Sequence, residues 1–119
     1  MDCTLAILDD DPRVLESLVN LLRSFEYSTE SYNSAEEFPE NGTLSGISCI
    51  VTDVEMRQIS GLDLLQYLKD KNYTLPVIVI SGKLSAQSEA FYLESGAAGF
   101  FRKPVDGKVL VELIASVCV

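Results

Sequence analysis

Short apolar runs of strand length alternate along this chain with segments of helical periodicity. Residues 5–8, 47–53, 77–81 and 98–102 form nearly continuous apolar runs, which are typical of strands buried on both faces. A more polar run over residues 27–32 predicts a strand nearer the edge of the sheet. Five strands separated by helices predict an α/β fold with a single, doubly wound, five-stranded parallel sheet and five helices.

Helix-start signals stand between these strands. The five predicted helices begin near Pro12, Ser34, Ser60, Ser85 and Asp106. Asp11 precedes Pro12 and is expected to cap the first helix, while Gly96 is expected to end the fourth. We expect one domain over residues 1–119, without an effector domain in it.

Apolar residues at helical spacing mark the faces expected to pack on the sheet. In the first helix these residues are Val14, Leu15, Leu18, Leu21, Leu22 and Phe25. In the last helix they are Val109, Leu110, Leu113, Ile114 and Val117. Val111 falls on the predicted outer side of the last helix.

The composition of the chain limits the partners and the compartment that we expect for it. Acidic residues outnumber basic ones 18 to 9, which gives a net charge of -9 and argues against direct nucleic-acid binding. Cys3, Cys49 and Cys118 have no metal-site spacing and are expected to be reduced, packed thiols. No apolar run is long enough to span a membrane, so we expect a cytoplasmic protein without membrane contact.

The chain contains no histidine. This excludes a serine or cysteine nucleophile activated by histidine, a histidine-ligated metal and a phosphohistidine donor within these residues. Carboxylates, hydroxyls and lysine remain for chemistry, with an oxygen-liganded cation.

Polar residues stand where four predicted strands end. Asp9 and Asp10 follow the first, Asp53 ends the third, Ser81 ends the fourth and Lys103 follows the fifth. Right-handed crossovers place the carboxyl ends of parallel strands at one edge of the sheet, where ligands collect. Clustered carboxylates repel one another and favour Mg²⁺, while a lysine and a hydroxyl suit the oxygens of a phosphoryl group attacked by Asp53.

Taken alone, each of these residues is more often a turn, cap or surface residue. For Asp11 that ordinary role prevails, since it stands at the helix cap. The order of an acid pair, an acid, a hydroxyl and a lysine on four strands is what makes the pattern specific. It predicts an aspartyl-phosphate site.

This combination resembles the receiver domain of two-component response regulators along the whole chain, and most closely its FixJ-like branch, whose receivers usually precede a LuxR-type DNA-binding domain. The matching segments are residues 7–12, 34–38, 51–56, 59–62, 76–82 and 100–104. The resemblance implies a flavodoxin-like sheet with strand order 2-1-3-4-5.

The resemblance also implies the roles of the site residues. Asp53 would accept a phosphoryl group from a kinase phosphohistidine, with Lys103 as cationic partner and Ser81 as the hydroxyl that moves towards the phosphoryl group. Mg²⁺, with Mn²⁺ as the alternative ion, would be held by Asp10, Asp53 and the backbone carbonyl of Glu55, and by Asp9 through water. Phe100 falls on the aromatic switch position. The bond between Lys103 and Pro104 is expected to be cis.

The implied partners are a sensor histidine kinase or a phosphotransfer protein. The switch would be read on the surface of the fourth helix, fifth strand and fifth helix, which also leaves a homodimer open. The implied output is control of transcription through a DNA-binding domain outside these residues. The chain would catalyse only phosphoryl transfer to, and hydrolysis from, its own Asp53.

Three alternatives stay open. One is a stand-alone relay or adaptor receiver without DNA-binding output, and another is an adaptor that uses the same fold without being phosphorylated. The third is an enzyme of the haloacid-dehalogenase type, whose motif requires a second aspartate two residues after the nucleophile, where this chain has Glu55.

The sequence departs from the family pattern in two places. Residues 57–59 replace the usual proline and small or polar turn with Arg57-Gln58-Ile59, and Phe100 lacks the hydroxyl of tyrosine. The first departure is expected to alter kinase choice or the lifetime of the phosphoryl group. None of the essential groups is missing.

Overall fold

Five parallel strands form one sheet in the order β2-β1-β3-β4-β5, as a computed structural model of the chain shows. The strands are β1 Thr4–Leu8, β2 Ser28–Tyr32, β3 Cys49–Asp53, β4 Val77–Ser81 and β5 Gly99–Arg102. The helices are α1 Pro12–Ser24, α2 Gly61–Asp70, α3 Glu89–Glu94 and α4 Gly107–Val117. The structure describes residues 3–33, 46–53, 61–70, 74–82 and 89–118.

The predicted α/β fold and strand order are therefore confirmed. The short helix predicted from Ser34 lies outside the described residues, so α2, α3 and α4 are the third, fourth and fifth predicted helices. Residues 83–88, where the fourth helix was expected to begin, also lie outside the described ranges.

The sheet is covered on both faces because alternate residues of each strand point to opposite sides. In β1, Leu5 and Ile7 pack in the cluster that holds the buried residues of α1 and α4. Ala6 and Leu8 pack in a second cluster with the buried residues of α2 and α3. Strands buried on both faces can therefore be nearly continuous in apolar residues.

Two aspartates begin helices. Asp11 caps α1, with its Oδ1 accepting a hydrogen bond of 2.9 Å from the Arg13 N–H, and Pro12 fills the first turn. Asp106 caps α4, with its Oδ1 accepting from the N–H groups of Lys108 and Val109. The predicted cap at Asp11 is confirmed.

Two helices end in the same hydrogen-bond motif with different residues at its left-handed position. After α3 that position is Gly96, at φ 112°, as predicted. After α1 it is Glu26, at φ 69°, where its N–H donates to the Arg23 carbonyl and the next N–H, of Tyr27, donates to the Leu22 carbonyl. No glycine marks this second end in the sequence.

Three predictions on helix faces were wrong. Phe25 is 51% exposed, since its backbone leaves the helical conformation at the end of α1. Val109 is 47% exposed, whereas Val111 is half-buried against the core. The buried stripe of α4 runs through Leu110 and Ile114; at about 100° per residue Val111 lies on the side of Leu110 nearer Ile114, and Val109 on the other side.

The expectation of three reduced cysteines was also wrong. Cys3 and Cys118 form a disulfide with their Cα atoms 6.3 Å apart, and Cys49 is a buried free thiol. The fold brings the start of β1 beside the end of α4, which the separation of 115 residues in sequence does not reveal. Within the described part of the chain, the helices are all too short or too polar to cross a bilayer.

Candidate functional site at the carboxyl edge of the sheet

Four strands deliver polar residues to one edge of the sheet. Asp9 directly follows β1, Asp53 ends β3, Ser81 ends β4 and Lys103 directly follows β5. Adjacent strands are in a register that brings these ends together, because Asp53 pairs with Ile80 and Ser81 pairs with Arg102. The convergence predicted from the sequence is thus present.

Three carboxylates form a cluster at this edge. One oxygen from each of Asp9, Asp10 and Asp53 lies within 4.8 Å of the others. Asp9 and Asp53 are almost fully buried, at 1% and 6% exposure, and Asp10 is half-buried. Negative charges this close raise the free energy of the fold unless cations compensate them. The cluster is a set of oxygen donors that could hold a divalent metal ion.

Lys103 supplies one compensating charge. Its Nζ lies 3.2 Å from Oδ2 of Asp9 and 3.4 Å from Oδ2 of Asp53. Burial opposes the charge of this amine, but attraction by Asp53 and then Asp9 outweighs that effect and raises the pKa of Lys103 above 10.5. Three acids against one lysine leave the cluster negative, which favours a bound cation.

Asp9 is held by both of its oxygens. Oδ2 accepts from Lys103, and Oδ1 accepts a 2.9 Å hydrogen bond from the N–H of Asp11. Asp11 itself is turned to the helix cap, so Asp9 and Asp10 remain as the acids of this loop that join Asp53. The position of Asp11 at the cap, apart from this cluster, agrees with the sequence prediction.

The end of β4 lies directly beside Lys103. Ser81 is 1% exposed, and its carbonyl accepts a 2.8 Å hydrogen bond from the Lys103 N–H. At Gly82 an added Cβ would stand 3.2 Å from Cδ of Lys103, closer than most contacts of this kind. Sequence reasoning missed Gly82, although its place next to the hydroxyl was a usable signal.

Phe100 is half-buried within an aromatic group on β5 and α3. Its ring stacks on Tyr92 at 5.6 Å between centroids, and the guanidinium of Arg102 lies 5.4 Å from its centroid. Arg102 was missed, although residues two apart on a strand share a face. The pairing with Tyr92 is a tertiary contact without a sequence signal.

Two further predictions fall on this region. The Lys103–Pro104 peptide bond is cis, as expected. Glu55 and the unusual segment at residues 57–59 lie outside the described ranges.

Comparison with known proteins agrees with this geometry. Residues 5–115 match the model of the family described as response regulator receiver domain. The chain is 40% identical over 98 residues to the response regulator protein TodT of Pseudomonas putida, covering 82% of this chain and 43% of TodT. It is 36% identical over 108 residues to the transcriptional regulatory protein FixJ of Azorhizobium caulinodans, covering 91% of this chain and 51% of that protein.

Solved structures give the same result. The crystal structure of FixJ-N superposes with a TM-score of 0.87 at 30% identity, covering 99% of this chain and 94% of that one. The response regulator StyR superposes with a TM-score of 0.90 at 28% identity, covering 99% of this chain and 60% of StyR. The chain spans about half the length of the curated relatives it matches.

Proposed function

The chain belongs to the response regulator receiver domain family, and from that premise we propose that it is a phosphorylation switch in two-component signalling whose acceptor is Asp53. The observation that carries this proposal is the contact of one lysine with two buried aspartates inside a cluster of three carboxylates. A strand-end aspartate of ordinary structural role needs neither the second and third acids nor the lysine.

The acid cluster fits Mg²⁺, with Mn²⁺ as the alternative ion. Its donors are carboxylate oxygens within 4.8 Å of one another, the ligand type that these hard cations prefer. Asp10, Asp53 and the backbone carbonyl of Glu55 would hold the ion directly, and Asp9 would hold it through water. When bound, the ion neutralises charge on the transferred phosphoryl oxygens.

The residues of this chain perform the rest of the reaction by position and charge. A carboxylate oxygen of Asp53 attacks the phosphorus of a phosphohistidine on a partner kinase or phosphotransfer protein. A P–O bond to Asp53 forms, the P–N bond breaks, and the imidazole leaves and takes up a proton. Lys103 stabilises a phosphoryl oxygen, and the Ser81 hydroxyl donates a hydrogen bond to another. Water later hydrolyses the aspartyl phosphate.

The phosphorylated state is read on the surface made by α3, β5 and α4. Ser81 and Phe100 link the site to this surface, since Ser81 ends the strand beside β5 and Phe100 stacks on Tyr92 of α3. Leu93 and Val109, on its two helices, are 41% and 47% exposed. Exposed apolar side chains on both helices support a homodimer through this surface.

The output we propose is transcriptional control by a DNA-binding domain beyond a receiver at residues 1–119. Relatives of about twice this length carry names of transcriptional regulators. The net charge of -9 argues that the receiver itself does not bind DNA. The proposed location is the cytoplasm.

The phosphoryl transfer is tested with a small phosphodonor such as phosphoramidate. We expect Mg²⁺-dependent addition of one phosphoryl group to the intact mass and none in the Asp53→Asn variant. Asp63→Asn, which neutralises an exposed acid on α2, is the matched control and should be phosphorylated normally. An adduct that persists in Asp53→Asn would remove the proposal.

The dimer is tested by sedimentation before and after phosphorylation. We expect the mass to double on phosphorylation in the wild-type chain and to stay monomeric in Val109→Lys. Phe25→Lys, which changes an equally exposed apolar residue at the end of α1, should still dimerise. Equal behaviour of the two variants would contradict this surface.

A further inference from the structure

The amino edge of the sheet holds a second chemical centre, made of sulfur. Cys3 directly precedes β1, and Cys118 caps the end of α4. Their Cα atoms are 6.3 Å apart, within the ordinary range of about 4.4–6.8 Å for disulfides. Both residues are half-buried, so an external thiol can approach the bond.

This bond fastens the last turn of α4, whose side chains after Ile114 pack only partly on the core. The last fully buried side chain of α4 is Ile114, and Ala115 and Ser116 are exposed. Beyond Ile114, Val117 and Cys118 are only partly buried against the core, and the Cys118 N–H donates to the Ile114 carbonyl at 2.8 Å. The Ser116 hydroxyl donates to the Leu113 carbonyl, a contact within the helix itself. The disulfide adds a covalent link between the end of α4 and β1, an inner strand of the sheet.

The third cysteine is shielded from exchange with this pair. Cys49 lies in the same apolar cluster, on the neighbouring strand and opposite Leu5, and its side chain is fully buried. Burial raises the pKa of its thiol to about 12, although a backbone hydrogen bond with Ile50 opposes this. Because the attacking species is the thiolate, Cys49 is a poor competitor for the bond.

We propose that Cys3 and Cys118 form a reversible redox pair that fastens the last turn of α4 to β1 when oxidised and releases it when reduced. The reductant is a cellular thiol of the glutathione or dithiol class. Its thiolate attacks one sulfur, the Cys3–Cys118 bond breaks, and the other sulfur leaves and takes up a proton. A second thiol then displaces the mixed disulfide, so two electrons enter the protein and the reductant becomes a disulfide.

In a reducing compartment such as the proposed cytoplasm, a disulfide points to a redox-sensing role. Disulfides in cytosolic proteins are mostly transient or redox-sensing rather than permanent. Since α4 is half of the proposed partner surface, reduction would loosen the surface through which the switch is read. The proposal stands on the cysteine geometry and does not depend on phosphorylation of Asp53.

The redox couple is tested by equilibrating the chain in buffers with different ratios of reduced to oxidised glutathione. The samples are quenched in acid and alkylated in denaturant, and the intact mass is then measured. We expect one alkyl group under oxidising conditions, on Cys49, and three under reducing conditions, in a single two-electron step. Cys49→Ser should keep this step, and Cys118→Ser should lose it. Three alkylated cysteines at every ratio would overturn the proposal.

The release of the helix is tested by amide hydrogen exchange on oxidised and reduced wild-type chain. We expect exchange at residues 114–118 to become about tenfold faster on reduction, while β3 and β4 keep their protection. Cys118→Ser should show the fast rate under both conditions. Equal exchange in the two redox states of the wild-type chain would show that the bond does not hold the turn.

Discussion

The two ends of β1 and β3 carry opposite kinds of chemistry. Each strand begins at a cysteine, Cys3 before β1 and Cys49 in β3, and each leads at its other end to an aspartate, Asp9 or Asp53. At the carboxyl edge, buried carboxylates lie close together in a cluster that could hold a cation. At the amino edge, one thiol is sealed in the core and another closes a covalent bond to α4.

The difference shows that the sheet keeps its reactive groups at one edge and its stabilising covalent link at the other. The carboxyl edge keeps unfavourable charge repulsion between carboxylates, which a bound cation can relieve. The amino edge carries apolar groups and a disulfide, and both stabilise the fold. Substitutions at the first edge should therefore change the rate of phosphoryl transfer, whereas substitutions at the second should change stability and leave that rate unchanged.

The largest effect is expected from Lys103→Met. The variant removes the cation that lies within 3.4 Å of both Asp9 and Asp53, so phosphoryl transfer from phosphoramidate should slow by about 10²–10³-fold. The measurement is the rate of phosphoryl incorporation by mass. Lys108→Met, which removes an exposed lysine of α4, and Cys118→Ser should both keep the wild-type rate. A slow Cys118→Ser variant would mean that the two edges are not separate.

The next effect is expected from Cys118→Ser. The disulfide joins residues 115 positions apart, and losing such a link should lower the free energy of unfolding by about 2–4 kcal/mol. The measurement is urea unfolding followed by circular dichroism. Reductant should lower the wild-type curve to that of the variant and leave the variant unchanged. A reductant-insensitive wild type would show that the bond contributes nothing to stability.

The contrast also explains what the sequence could predict. Strand-end residues such as Asp53 and Lys103 follow from topology, because parallel strands carry every carboxyl end to one edge. The disulfide does not follow, since it pairs the two most distant cysteines through a contact that only the packed helix creates. The stacking of Tyr92 on Phe100 is likewise a contact that only the packed fold creates. The left-handed Glu26 had no signal because no glycine marks that end of α1.

Magnesium should stabilise the chain through the carboxyl edge alone. At a concentration about 100 times its dissociation constant, the ion should raise the free energy of unfolding by about 2.7 kcal/mol. The measurement is thermal unfolding with Mg²⁺ or with a salt of equal ionic strength after treatment with a chelator. Asp53→Asn should lose most of this response, whereas Cys118→Ser should keep it. An undiminished response in Asp53→Asn would place the ion elsewhere.

Alkaline pH should weaken the amino edge first. Burial raises the pKa of Cys49 from 9.0 to about 12, so the unfolded chain loses this proton before the folded chain does. The contribution of Cys49 to the free energy of unfolding is therefore fully present below pH 9. It should fall by about 1.4 kcal/mol per pH unit between about pH 9 and 12. The measurement is the free energy of unfolding against pH.

Lys103, at the carboxyl edge, should also lower the free energy of unfolding as the pH rises, but at higher pH. The raised pKa of Lys103 means that its stabilisation is complete below 10.5 and is lost as pH rises further. Between pH 9 and 10 the slope therefore reports Cys49, and Cys49→Ala should flatten it. An unchanged slope in that variant would contradict the assignment.

The smallest effect is expected from Glu26→Gly, at the end of α1 near the amino edge. Glu26 holds φ 69°, a left-handed conformation that disfavours side chains by about 1–2 kcal/mol, so glycine should raise the free energy of unfolding by up to about 1 kcal/mol. Gly96→Ala is the matched reverse change in the same motif and should destabilise the fold. The measurement is urea unfolding of both variants beside the rate of phosphoryl transfer. If the edges are separate, both variants shift stability in opposite directions and leave that rate unchanged; a changed rate would show that the amino edge also tunes the chemistry.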